Sequence, residues 1–252
     1  MRILLKVSYD GTAYSGWQLQ PNAITIEGVL NDALKELTGE DIQVTGASRT
    51  DAGVHSLGNV CVFDTQSRIP PDKYCYALNN HLPEDIRVIS SEEVSDTFHP
   101  RHTDSVKTYE YKIWNDKIPS PILRNYTYFT YRNIDLDKMR RAAAMLVGEH
   151  DFGAFCSSGS QAQTTVRTIF SIDITQESIE DISKEGRLIR IRVTGSGFLY
   201  NMVRIIAGTL LDIGTGLLEP EIMEKCLSSH DRGDAGPTAP ASGLTMIGIR
   251  FT

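Results

Sequence analysis

Hydrophobic residues fall on every second position at the start of the chain. Ile3, Leu5, Val7 and Tyr9 share one side of Arg2–Tyr9, the period of a half-buried strand. Asp10-Gly11-Thr12 breaks that pattern. A loop over residues 13–23 carries Tyr14, Gly16, Trp17 and Pro21. The period then lengthens. Ile26, Val29, Leu30, Ala33, Leu34 and Leu37 line one face of a helix that begins near Thr25 and ends at Gly39. Further along, the pattern predicts a strand over 42–45, a tight polar loop over 46–56 and a strand over 57–64. A short helix over 72–81 and a strand over 86–94 complete the first half.

The second half has the same grammar. A strand over 106–114 places Val106, Thr108 and Glu110 on one side and Tyr109, Tyr111 and Ile113 on the other. Asp135 or Asp137 caps a helix that contains Met139, Ala142, Ala143 and Leu146. Strands follow over 167–175 and 188–194. A helix over 199–213 then carries Met202, Val203, Ile206, Leu210 and Ile213 as an apolar stripe. A short helix over 219–228, an ordered or semi-ordered loop over 231–242 rich in Gly, Pro and Ala, and a last strand over 244–251 close the chain. The mixture is not a strict strand–helix alternation. It predicts an α+β fold of two ferredoxin-like subdomains, residues 1–105 and 106–252, joined near 94–105. Together they are expected to form a mixed, mainly antiparallel sheet. The halves share no visible sequence repeat.

Composition narrows the class. With 252 residues, 40% hydrophobic and 23% charged, the chain has the profile of a soluble globular protein of one large or two small domains. No apolar run approaches the roughly eighteen residues of a membrane span. The start, Met1-Arg2-Ile3-Leu4-Leu5-Lys6, turns charged too soon for a signal peptide. Cys61, Cys75, Cys156 and Cys226 form no C-x-x-C pair, so zinc spacing is absent and they read as reduced thiols of a cytoplasmic protein. His55 and His99 have no partner at metal-ligand spacing. The 25 Lys and Arg against 32 Asp and Glu give a net charge of −7, which runs against the basic footprint of a nucleic-acid binder. Local charge can differ from the net. Basic residues cluster at Arg187, Arg190 and Arg192 and recur at Arg49, Lys107, Arg124, Arg167 and Arg204. By composition alone these are solvated strand and helix faces.

Chemistry concentrates in Gly46-Ala47-Ser48-Arg49-Thr50-Asp51-Ala52-Gly53-Val54-His55. This loop joins two predicted strands and presents its polar residues at a sheet end. Asp51 has small neighbours, and Gly53 permits close backbone approach by a ligand. Arg49 sets a fixed positive charge two residues away. From the residues alone, an Arg–Asp pair pinning a surface loop fits as well as a reactive carboxylate.

The loop closely resembles the active-site motif of the tRNA pseudouridine synthase A family, G-[AS]-G-R-T-D-A-G-V-H. Other segments agree, in order. Tyr9-Asp10-Gly11-Thr12-Ala13-Tyr14-Ser15-Gly16-Trp17-Gln18 resembles the N-terminal family motif. Phe98-His99-Pro100-Arg101 and Lys107-Thr108-Tyr109-Glu110-Tyr111 resemble the central one. Asp151-Phe152-Gly153-Ala154-Phe155, Arg167-Thr168-Ile169, Asn201-Met202-Val203-Arg204 and Ala239-Pro240-Ala241-Ser242-Gly243-Leu244 are similar to its C-terminal half. Two departures stand out. Ser48 replaces the usual Gly before Arg49, and Lys107 with Thr108 replaces a more Arg-rich approach to the tyrosine.

The resemblance implies an isomerase that converts uridine to pseudouridine at positions 38, 39 and 40 of the transfer RNA anticodon stem-loop. It implies Asp51 as nucleophile, Arg204 as its ion partner from the second half across a central active-site cleft, and Tyr109 as a catalytic residue stacked on the target uracil and involved in removing the C5 proton. Arg49 and Lys107 are expected to contact RNA, and Leu244 to wall the pocket. By spacing alone Tyr109 also fits a cross-strand core aromatic, Arg204 a solvent-facing helix residue and Leu244 ordinary core. The family implies transfer RNA as partner, a homodimer, and neither metal nor cofactor. The other reading is a catalytically idle RNA-binding protein on the same scaffold. A carboxylate hydrolase would want a second positioned carboxylate, and no such pair stands out.

Overall fold

The alternation at the N-terminus forms strand β1 (Arg2–Tyr9). Its inward side chains Ile3, Leu5, Val7 and Tyr9 meet the apolar stripe of helix α1 (Ile26–Thr38). Thr25 caps that helix by accepting from the Gly28 N–H. Gly39, at φ 75°, ends it in the left-handed conformation. A computed structural model describes all 252 residues, Met1–Thr252. They divide into two compact units, Met1–Ser105 with Thr245–Thr252, and Val106–Leu244.

The first unit continues through β2 (Thr45–Gly46), β3 (His55–Asp64), α2 (Tyr74–Leu78) and β4 (Ile86–Val94). β1 lies between β3 and β4, antiparallel to both, and β2 pairs antiparallel with β3. The order β4-β1-β3-β2 after a β-α-β-β-α-β chain is the ferredoxin-like arrangement. The last strand, β10 (Leu244–Phe251), runs parallel to β3, with Thr245 opposite His55 and Met246 opposite Ser56. The outer face of this sheet is also apolar: Leu4, Val60 and Val62 pack with Phe98, Ile249 and Phe251.

The second unit holds β5 (Ser105–Asn115), β6 (Tyr128–Thr130), α3 (Leu136–Ala144), β7 (Gly148–Asp151), β8 (Val166–Ser178), β9 (Arg187–Gly195), α4 (Met202–Gly214) and α5 (Ile222–Ser229). β9 sits antiparallel between β5 and β8, β7 pairs antiparallel with β8, and β6 runs parallel to β5. β5, α3, β8, β9 and α4 thus repeat the arrangement of β1, α1, β2, β3 and α2. The fold is α+β with mainly antiparallel pairing, as the sequence predicts.

Several elements differ from the sequence reading. The last strand, grouped by sequence with residues 106–244, runs in the first unit, because its backbone pairs with β3. Residues 42–44 form no ladder. Ile42 and Val44 are buried as their alternation predicts, but the Val44 N–H goes to the Asn31 side chain at 2.9 Å. The helix over 72–81 is a 3-10 turn (Pro71–Lys73) and one α turn and a half, followed by Asn79, whose amide pairs with both backbone groups of Val88. Asp135, not Asp137, caps α3. α4 begins at Met202 because Asn201 takes φ 60°.

Candidate functional site

Asp51 stands on the turn between β2 and β3. A loop of this length would sample many conformations unless held, and the N-terminal motif holds it. The Trp17 N–H donates to the Thr50 carbonyl at 3.0 Å, and the Gly53 N–H to the Tyr14 carbonyl at 3.2 Å. The two segments touch backbone to backbone. A Cβ on Gly11 would lie 2.1 Å from the Val54 oxygen, and one on Gly16 would lie 2.5 Å from the Thr50 oxygen. Gly53 itself has φ 77°, which favours glycine. Below the turn, the Asp51 carbonyl accepts from the Val54 N–H at 3.1 Å. Asp51 is half-buried and Arg49 is exposed.

His55 closes the loop. It is buried, and its Nδ1 lies 3.1 Å from the Gly11 nitrogen and 3.1 Å from Asp10 Oδ1. Nδ1 accepts from the Gly11 N–H, which ties the end of the loop to the Asp10-Gly11 turn. Tyr14 is buried and its hydroxyl donates to Asp85 at 2.6 Å. Burial, then that carboxylate, pushes the phenol well above its ordinary range, so it stays neutral. From the other side, Arg101 Nε donates to the Gly46 carbonyl at 2.8 Å.

In the second unit, Lys107 and Tyr109 point to the same side of β5. Tyr109 is buried, and its ring meets Phe198 edge-on with centroids 5.3 Å apart. Lys107 is half-buried, opposite Gly195. Arg204 lies in the first turn of α4. Its Nε donates to the Ala239 carbonyl at 2.7 Å and its Nη1 to Asn201 Oδ1 at 2.8 Å. The Asn201 amide in turn donates to Ser157 Oγ at 3.0 Å. The Ala239 N–H returns to the Arg204 carbonyl at 3.1 Å. The guanidinium is therefore aimed by two acceptors in one plane. Leu244 is buried and follows the 3-10 turn Ala241–Gly243.

The other basic residues have local partners. Arg190 and Arg192 both bond Glu110, at 2.9 and 2.7 Å, and Glu110 is buried. Burial raises the Glu110 pKa, but the two guanidiniums outweigh it and hold the carboxylate below its ordinary value. Arg187 bonds Asn115 and Gln176. The run from 187 to 192 is thus a structural face, in line with the composition-based reading. Arg167 donates to two backbone carbonyls, Thr164 and Val166. No group of three or more His, Cys, Asp or Glu side chains is placed to hold a metal ion, and no helix is long and apolar enough to cross a membrane.

Sequence reasoning did not single out Asn59, Asn201 or the side chain of Arg101. Asn201 and Arg101 lie inside quoted motifs, so their positions were visible but their roles were not. Asn59 lies outside every motif, and its one sequence signal is a polar amide just before the apolar run Val60-Cys61-Val62-Phe63.

The family profile described as tRNA pseudouridine synthase matches residues 6–102 and 142–252. A tRNA pseudouridine synthase A of Acetivibrio thermocellus is 45% identical over 249 residues, covering 99% of each chain. One from Ruminiclostridium cellulolyticum is 46% identical over 250 residues, again covering 99% of each chain. A tRNA pseudouridine synthase A 2 of Clostridium tetani is 48% identical over 246 residues, covering 97% of this chain and 96% of that one. The chain belongs to the tRNA pseudouridine synthase family.

Proposed function

We propose that the chain converts uridine to pseudouridine in transfer RNA, at positions 38, 39 and 40 of the anticodon stem-loop, with Asp51 as nucleophile. The observation that carries the reading is the Asp51 loop itself. Its sequence closely resembles the family's reactive loop, with Ser48 in place of the usual Gly, and its backbone is fixed by the Tyr14, Trp17 and Gly46 contacts. A positioned carboxylate suits the reaction. The bond from ribose C1′ to N1 breaks as the carboxylate attacks C1′ or faces the cationic sugar. The base turns and C5 bonds to C1′ as the carboxylate oxygen leaves C1′ with its electron pair, which frees Asp51 again. The C5 proton then leaves and N1 ends protonated. Atoms and electrons balance without cofactor or redox partner.

In this reading Arg204 is the ion partner of Asp51. Its support is its place in the family motif and the two acceptors that aim it. Tyr109 stacks on the uracil and is held for that by Phe198. Leu244 walls the pocket, and Arg49 and Lys107 contact RNA. The target must leave the base stack for its glycosidic bond to be reached. Recognition of the stem rests on shape, phosphates and 2′-hydroxyls, because a paired RNA stem offers side chains few readable base edges. The chain works as a homodimer in the cytoplasm, without metal or cofactor. An idle RNA-binding relative is the weaker reading, since such a protein has no need of a braced aspartate.

The test is pseudouridine mapping in transfer RNA incubated with the parent protein and with Asp51→Asn. Pseudouridine at 38–40 with the parent only is expected. An Asp51→Asn protein that still modifies those positions at the parental rate would overturn the assignment.

A further inference from the structure

Two buried polar groups that no motif reading assigns converge beneath the reactive loop. Asn59, on β3, is wholly buried. Its side-chain amide has two polar atoms, and each has a partner. Nδ2 donates to the Ser48 carbonyl at 3.0 Å and to the Tyr9 hydroxyl oxygen at 3.3 Å. Oδ1 accepts from the Val60 N–H at 2.9 Å. Tyr9, at the end of β1, is also buried, and its hydroxyl lies 2.8 Å from Thr50 Oγ1. The Asn59 amide nitrogen can only donate, so Tyr9 accepts there. Its own proton is then available to Thr50.

We propose that Asn59 and Tyr9 are positioning residues for the reaction, a buried clamp that sets the height and turn of Asp51. The contacts bracket the reactive residue. Asn59 grips Ser48 three positions before Asp51, and Tyr9 grips the side chain of Thr50, its immediate neighbour. Trp17 holds the carbonyl of the same Thr50. Thr50 is therefore fixed at both its side chain and its backbone, one peptide bond from the carboxylate. β3 and β1 are rigid, paired strands, so the clamp transfers their order to a turn that has no ladder of its own. Ser56 secures the base of the clamp. Its hydroxyl accepts from the Gly58 and Asn59 N–H groups at 3.0 and 2.8 Å, which fixes the backbone from which the Asn59 side chain departs.

The sequence departure at Ser48 fits this scheme. The clamp holds position 48 by its carbonyl, a group every residue has, so a serine there leaves the grip intact. Neither clamp residue touches the substrate in this scheme. Their contribution is that the carboxylate meets C1′ at attack distance, and displacement on the order of 1 Å can cost on the order of a hundredfold in rate.

This inference rests on the proposed reaction, and the experiment separates the two. Single-turnover rates, transfer RNA affinity and urea midpoints are measured for the parent, Asp51→Asn, Tyr9→Phe, Asn59→Asp and Asn59→Gln. Tyr9→Phe deletes one hydroxyl and keeps the ring. Asn59→Asp keeps size and the acceptor for Val60 but cannot donate as the amide does. We expect Tyr9→Phe to slow the single turnover about tenfold and Asn59→Asp about a hundredfold, with affinity within about twofold of the parent. Asn59→Gln, which retains the amide, should recover part of the rate lost in Asn59→Asp. If Asn59→Asp does not fold, Tyr9→Phe and Asn59→Gln decide. Folded Tyr9→Phe at the parental rate overturns the clamp, and so does a rate loss matched by equal losses of affinity and stability. An active parent with an inert Asp51→Asn and fully active clamp variants sinks this inference alone. A parent that makes no pseudouridine sinks the proposed reaction, and the clamp with it.

Discussion

Replacing Arg204 by lysine tests whether the aim of the guanidinium matters, not only its charge. Arg204 bonds Ala239 through Nε at 2.7 Å and Asn201 through Nη1 at 2.8 Å. An ammonium is a compact donor and cannot reproduce a planar fork at two separated nitrogens. Each bond from a charged donor is worth about 1.5–3 kcal/mol. Lysine keeps the charge and one contact at best, so the aimed position loses about 1.5–3 kcal/mol. If the loss is felt fully in the transition state, at about 1.36 kcal/mol per tenfold, the rate falls roughly 10- to 150-fold. Arg204→Ala removes the charge too and should fall further, because the proposed pairing with Asp51 goes with it; breaking a fully buried pair costs on the order of 3–5 kcal/mol, and one between two half-buried side chains less. The assay is the single-turnover rate at saturating enzyme, with affinity measured separately. Arg204→Lys at the parental rate would refute the aiming argument. Arg204→Ala that binds weakly but turns over fully would refute the pairing with Asp51, leaving Arg204 an RNA contact like Lys107.

Other outcomes follow from the same geometry. Asp51→Asn should lose pseudouridine formation while binding transfer RNA nearly as the parent does; turnover within about tenfold of the parent would count against a nucleophile. Lys107→Ala should weaken binding more than turnover and flatten the salt dependence of affinity by roughly one unit of slope, measured by binding isotherms at several salt concentrations. Chelators should leave activity unchanged once magnesium for RNA folding is supplied separately; reversible loss restored by one divalent ion would contradict the metal-free reaction. Glu110→Gln should cost about 2 kcal/mol in urea denaturation, discounted from a fully buried pair because Arg192 is half exposed. Because the folded Glu110 pKa is depressed, its contribution is complete above the unfolded carboxylate value and disappears as pH falls through the lower folded value. Parent and Glu110→Gln should therefore converge in stability only in acid, and a constant difference down to pH of about 2 would contradict the assignment.

Much of the fold was legible because most buried faces follow simple periods. β1, α1, β5 and α4 carry their apolar residues at the spacing their backbone dictates, and the structure buries them. What could not be seen is where side chains replace backbone partners. Residues 42–44 look like a strand because Ile42 and Val44 are inward, yet an asparagine on α1 takes the bond that a ladder would have made. The placement of β10 is a long-range pairing with β3, and no local pattern encodes it. The short strands β6 and β7 have three and four residues and leave no readable period. At the site, residue identities came from the motif resemblance. The supports did not, because Asn59 in an apolar strand and Asn201 at a helix start look alike in sequence and are told apart only by what their amides reach.

The motifs found one by one along the chain are, within each unit, contact partners. The Asp10–Gln18 segment packs on the Asp51 loop so closely that Gly11 and Gly16 have no room for a side chain against Val54 and Thr50. In the second unit the approach to the Ala239–Leu244 motif packs on α4 in the same way, where a Cβ on Gly208 would lie 1.9 Å from the Pro237 carbonyl. The Gly236 N–H bonds Thr209 on the same helix at 2.9 Å. At the far end of that motif Gly243 lies against the Tyr111 ring, and the Tyr111 hydroxyl bonds the Pro240 carbonyl at 2.9 Å. Such backbone-to-backbone seams leave little freedom, because closing them by even one methyl group forces a shift. A residue on one side of a seam is then located by the element on the other. That accounts for how the aspartate proposed as nucleophile can be carried on a turn instead of on a strand: the seam gives the turn the rigidity that catalytic positioning needs, while the turn leaves the half-buried side chain within reach of a large RNA.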